Sequence, residues 1–407
     1  MTELISAAEA REISANIEFI NEEEKVAAEI KKAASKKLLA ACFASLSDKI
    51  TEKLRGMGYI VQKIKRGTEV TWDYVEPAYE EVENKEALNE LLAGEEAKVY
   101  AEIKAPLEMA KGEYITVPAG KTATIKLDDK ISVANTCFKV EDGAELILKG
   151  EGTIESSNKS TVGSIIEANG ADAKVTIDGP TLDLVTKQGV SGNYAFGVYL
   201  ANDASLEFKS GTIKVGYGSC VSTNNTTGGT TVINITGGEL LSEGAYAIYL
   251  ASQGVINVKG GKVQGINARM GHINVFGEGE VIPTKMNADN YDNIGVEVNT
   301  SGCVWVGDSI AIMAGTYSDA KGTDTTVNVY GNGKVGSEFR SAIGVYCIDT
   351  KAAQNIKINV ANKDNVATTD ADFEAIKVYD HAYILEEATK AGKSYIPVAD
   401  SVVEIAA

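Results

Sequence analysis

Ile256-Asn-Val-Lys-Gly-Gly-Lys-Val263 is followed after a short interval by Ile273-Asn-Val-Phe-Gly-Glu-Gly-Glu-Val281. Both stretches run apolar, polar, apolar, then a glycine-bearing turn, then apolar again. Working outward, the same pattern precedes them as Leu146-Ile-Leu-Lys-Gly-Glu-Gly-Thr-Ile154, Val175-Thr-Ile-Asp-Gly-Pro-Thr-Leu182, Leu206-Glu-Phe-Lys-Ser-Gly-Thr-Ile213 and Ile233-Asn-Ile-Thr-Gly-Gly-Glu-Leu240. It follows them as a degenerate Val304-Trp-Val-Gly-Asp-Ser-Ile310 and a full Val327-Asn-Val-Tyr-Gly-Asn-Gly-Lys-Val335. From Ile154 to Val335 the closing apolar residues recur every 26 residues or so on average. Self-similarity in that range marks a stacked array.

A second short strand precedes the motif in alternate copies: Gly197-Val-Tyr-Leu200, Ala247-Ile-Tyr-Leu250, Gly295-Val-Glu-Val298 and Gly344-Val-Tyr-Cys347, with Phe138-Lys-Val140 as an earlier relative. Strands this short form no stable sheet alone. Coiled so that each backbone group bonds to the coil above or below, they share one continuous apolar core. The fold expected is a right-handed parallel β-helix of about ten coils over residues 111–380. A β-sandwich or propeller is the alternative, kept open by the roughly 49-residue double repeat.

Forty glycines against six prolines suit many tight turns. The formal charge of −18 comes from 57 acidic and 39 basic residues. Such a surface repels nucleic acid and anionic membrane, so neither is expected as a partner. No stretch approaches the length of a membrane span. Met1-Thr-Glu-Leu-Ile carries no secretory signal pattern, so assembly in a host cytoplasm is expected. The five cysteines are widely spaced without C-x-x-C, and only His272 and His381 are present. Reduced thiols, no metal site and no cofactor are expected.

Residues 1–76 are a different kind of chain. Residues 6–56 read as helix, with Ile13, Ile17 and Ile20 on one stripe and Leu39, Phe43, Leu46, Ile50, Leu54 and Met57 on another. These stripes suit plain packing or self-association. Tyr59–Ile64 and Val70–Val75 then alternate as a hairpin. The order of helix, Leu54-Arg-Gly-Met-Gly-Tyr59, hairpin and Trp72 resembles small modules of phage structural proteins. That resemblance implies a virion anchor, with Ile13, Ile17, Leu39, Phe43, Leu46, Ile50, Tyr59 and Trp72 as anchor or oligomer contacts. Residues 77–110 read as an acidic connector, and 381–407 as a C-terminal cap with a helix near Ile384–Ala391.

Candidate sites are sparse. Arg269 with His272 is the one tempting basic pair in the repeat, and a polar loop between coils is the plainer reading of it. Asp289, Asp292 and Asp308 invite calcium, but their spacing is not that of an EF-hand. No aligned carboxylates mark a glycosidase, so no catalytic residue is assigned. The middle residues of the second strand, Lys139, Tyr199, Tyr249, Glu297 and Tyr346, should point outward as a ladder. Such a ladder could stack on sugars, pack a sister subunit, or only stabilise the sheet.

Gly112-Glu-Tyr-Ile-Thr-Val-Pro-Ala-Gly-Lys-Thr-Ala-Thr-Ile-Lys-Leu127 resembles the opening coil of pectate-lyase-like β-helices. The whole is similar to bacteriophage head-fibre and tailspike proteins. That resemblance implies a structural virion protein on the capsid surface, docked to capsid proteins by its N-terminus. It also implies a homo-oligomer, trimer or dimer, and a projecting β-helix that could adhere to host or mucus carbohydrate. Two rival expectations are a tailspike that cleaves surface polysaccharide and a bacterial surface or interaction protein.

Overall fold

The computed structural model describes residues 22–33, 40–57, 59–64, 67–71, 77–157, 162–184, 194–216, 218–223, 228–242, 246–251, 253–283, 297–298, 304–305, 310–315, 324–338, 340–346, 355–369, 371–379 and 402–406. The chain forms two compact units, Met1–Ala78 and Tyr79–Ala407.

In the first unit a helix spans 22–33 and a second spans Asp48–Gly56. Three antiparallel strands accompany them. The hairpin strands Ile60–Ile64 and Gly67–Thr71 pair with each other, and Ala40–Phe43 pairs with the other edge of Gly67–Thr71. The hairpin is present, with its second strand opening at Gly67 rather than Val70, but helix over the whole of 6–56 is not, since Ala40–Phe43 interrupts it. Ala40–Phe43 is a strand because pairing with Gly67–Thr71 satisfies its backbone, which outweighs the helix propensity of two alanines. A new helix starts at Ser47, whose hydroxyl accepts the amide of Ile50 at 3.3 Å, an N-cap that restarts the chain. Val26, Ile50, Leu54, Val61 and Val70 form a small core, with Phe43, Leu46 and Tyr59 packed against it.

The second unit is built from parallel pairings between successive coils. One sheet has ten strands, from Ile115–Val117 through Ile248–Leu250 to Ile376–Tyr379, stacked in chain order. At ordinary strand spacing the stack is about 45 Å long. A larger sheet carries the repeat motif, and its three apolar positions all face inward. Ile125, Leu148, Ile177, Phe208, Ile235, Val258, Val275, Val329 and Val360 lie one above another. All nine belong to one buried cluster. A sandwich or propeller would pair neighbours antiparallel. The observed register is consistent with the parallel β-helix, and connections between parallel strands are right-handed in nearly all sheets.

The glycine turn is a corner where successive coils nearly touch. Gly238 has φ +75°, and a Cβ there would sit 2.6 Å from the Gly211 carbonyl oxygen. Gly261, one coil on, stands in the same relation to Gly238 at 2.6 Å. No side chain fits between these backbones, which is why the motif carries glycine in copy after copy.

Three boundaries differ from expectation. The acidic stretch is no connector, because Lys98–Ile103 and Leu107–Met109 pair in parallel with Thr122–Leu127 and Lys130–Val133 as a first coil. Glu102 and Glu108 take the outward positions of these strands, while Val99, Ala101 and Ile103 are buried. Helix Lys85–Ala93, capped by Asn84, lies against the edge strand Ile115–Val117 and sinks Leu88 and Leu92 into the main core. It covers a sheet edge that would otherwise be open. At the far end Val402–Ala406 pairs with Asn355–Val360, so this part of the cap region is another rung. The region expected as its helix lies outside the described residues.

The degenerate copy is the third difference. Val304–Trp305 pairs antiparallel with Glu297–Val298, in a separate two-stranded sheet. The stack instead steps from Gly271–Val275 directly to Asp324–Val329, whose longer run offers more ladder hydrogen bonds.

Candidate binding surface

The outward column of the ten-stranded sheet reads Thr116, Lys139, Glu167, Tyr199, Ser222, Tyr249, Asn267, Met313, Gly344 and Lys377. Lys139, Tyr199 and Tyr249 therefore share one column as expected, but Glu167 and Ser222 stand between them. Tyr346 is out of register, since Gly344 holds its rung and Tyr346 pairs with Tyr379. Glu297 is not in this sheet at all. The expected ladder fails because four-residue likeness does not set register; the buried Ile312–Ile343 pairing does.

The column also varies in environment. Lys139 sits 3.8 Å from the Glu167 carboxylate and over the Tyr114 ring at 4.0 Å. Tyr199 stacks on Phe196, with centroids 5.8 Å apart. Farther along, Ser222, Asn267 and Met313 are fully buried although they point away from the core. Arg269 is buried beside them and donates to the Tyr249 hydroxyl at 3.4 Å. His272 belongs to the other sheet and is exposed, whereas Arg269 is buried.

A second outward column, in the larger sheet, is marked in the sequence by a repeated asparagine. The polar residue in the middle of the motif is asparagine in Asn234, Asn257, Asn274 and Asn328, and Asn359 continues it. Each side-chain amide donates to the carbonyl of the asparagine one coil before, at 2.8 Å in all four steps. Asn234 closes the series on Glu207 at 3.1 Å. Beside it run charges of alternating sign, with Glu239 to Lys262 at 3.8 Å and Glu280 to Lys334 at 3.4 Å.

Carboxylates serve the turns. Asp203, in left-handed backbone at φ 69°, accepts from the amides of Gly228, Gly229 and Thr230 at 2.7, 3.1 and 3.2 Å. Burial works against its charge, but these donors together outweigh it and hold the carboxyl below its ordinary range. In the first coils Glu102 lies between Lys126 at 2.6 Å and Lys104 at 2.9 Å. Those bonds, Lys126 first, lower its carboxyl to about 2. Burial pushes the Cys137 and Cys220 thiols up, and Cys42 is exposed.

Among the described residues no group of three or more His, Cys, Asp or Glu could hold a metal ion, and no helix is long and apolar enough to cross a membrane. Asp289, Asp292 and Asp308 lie outside the described residues.

In the first unit a groove of about 360 Å³ runs between the two helices, lined by residues that include Val26, Ile30, Leu54, Met57 and Tyr59. Met57 is 64% exposed at its rim. Of the expected anchor contacts, Phe43, Leu46, Ile50 and Tyr59 come together in this unit's own core. Ile13, Ile17, Leu39 and Trp72 lie outside the described residues. No protein-family model, curated protein or solved structure matches the chain.

Proposed function

We propose that this chain is a structural virion protein, a bacteriophage head fibre or capsid-surface decoration. In this reading Met1–Ala78 is the anchor, docked to capsid protein through the apolar groove, and the coil stack is a displayed rod. The protein is a homo-oligomer, a trimer by preference, and needs no cofactor. The observation that supports it best is the division of labour between the two units. One is small, with its own core and an open apolar groove. The other spends its outward asparagine column and its turn carboxylates on holding coil to coil. A self-satisfied rod on a small docking unit suits display better than turnover.

Cryo-electron microscopy of the particle that contains the chain tests this. Density for the first unit seated on the capsid shell, with a rod directed outward, is the expected result. Density at a tail tip, or a chain found only outside particles, would overturn the head-fibre assignment.

A further inference from the structure

We propose that the corner carrying Phe276 and Tyr330 is a contact site for neutral, pyranose-based carbohydrate. The residue following the inward apolar position forms a column along this corner. Backbone bonds set its order, with Phe276 N–H donating to the Val258 carbonyl, Tyr330 to Val275 and Ala361 to Val329. Lys259 precedes the two aromatic residues and Ala361 follows them. The rings are parallel, with an interplanar angle of 7° and centroids 5.0 Å apart. Tyr330 is 42% exposed, a large apolar ring left in water. On the next coil this position is Ala361, whose side chain is a single methyl.

The rim of this platform is polar and ordered. Asn332, two residues past Tyr330, donates to Glu278, two residues past Phe276, at 2.9 Å, and both are exposed. Asn365 donates to the Gly331 carbonyl at 2.8 Å, and Asn362 accepts from the Asp364 amide at 3.1 Å. A part-exposed aromatic ring beside planar amides and carboxylates matches the two sides of a pyranose. Its C–H face takes the ring, and its hydroxyls take directional hydrogen bonds. Binding sites combine apolar contact with a few placed polar groups in this way. The two coils span about 10 Å, room for one or two sugar residues. Glu278 and Asp364 on the rim disfavour acidic sugars, which is why the class is neutral.

This proposal stands apart from the virion reading, since it needs only the coil stack. The test is saturation-transfer NMR on the full-length protein with six hexasaccharides. These are the α- and β-linked hexamers of glucose, mannose and galactose. Transfer to the C–H protons of at least one is expected. Tyr330→Ala should weaken that binding about tenfold, and Tyr330→Phe should keep most of it. Asn332→Ala gives a second, milder loss and keeps the test valid if Tyr330→Ala folds poorly. Transfer to none of the sugars, or binding unchanged in both alanine variants, would overturn the site.

Discussion

Two outward columns of the same stack differ in kind. From Asn234 to Asn359 one residue repeats, and the amides of Asn257, Asn274, Asn328 and Asn359 each donate to the asparagine one coil before at 2.8 Å. The column of the ten-stranded sheet changes residue at nearly every rung, from Lys139 through Tyr199, Ser222 and Tyr249 to Met313, and much of it is buried. A uniform column is a structural device, because identical side chains at one height satisfy one another. A mixed column must find different partners at each rung, so it holds no register by itself.

The largest expected effect breaks the frame that both columns share. Val258→Asp places an unpaired charge at a fully buried position beside Asn257, at a cost of several kcal/mol. Thermal unfolding should show loss of the folded state or a melting temperature lower by more than about 10 °C. An unchanged melting temperature would refute the inward register. Gly238→Val attacks the corner instead, where the added Cβ meets the Gly211 carbonyl at 2.6 Å. Denaturant titration should show a loss of about 2–4 kcal/mol.

Asn274→Ala sharpens the comparison itself. It removes one bond given to Asn257 and one received from Asn328, and should cost about 1–2 kcal/mol. Tyr249→Phe in the other column removes the hydroxyl that accepts from Arg269 at 3.4 Å, and should cost under about 1 kcal/mol. Equal losses in the two variants would erase the distinction between the columns.

The smallest effect concerns acid. Glu102 has its folded value lowered from 4.5 to about 2, so its contribution is complete above 4.5 and is lost as pH falls toward 2. Lys126→Met should raise the folded value and flatten the fall in melting temperature between pH 5 and 2. A parallel fall in both proteins would show that the Lys126 bond contributes nothing.

The inward positions of the motif were legible because alternation of apolar and polar residues is local, and Ile256, Val258 and Val263 are all buried. The glycine corner was legible for the same reason. Tyr346 and Glu297 were misplaced because short strands look alike, and only the pairing of buried neighbours chooses a register. The 40–43 strand was misread as helix since Phe43 and Leu46 keep helical spacing even though a sheet claims the first of them. Phe276 and Tyr330 lie in the repeats at 273–281 and 327–335, yet nothing local marks those two coils as neighbours.

Sequence by itself determined which face of each strand is apolar and where each corner must be glycine, since both depend on residues a few positions apart. Tertiary structure alone decided which coils touch. Asn257 and Asn274 are 17 residues apart while Asn274 and Asn328 are 54 apart, yet both pairs meet at 2.8 Å. Loop-closure entropy grows only slowly with length, so coils of unequal length stack with equal register. The mean repeat of about 26 residues therefore identifies the array, and the packing of its core identifies the neighbours.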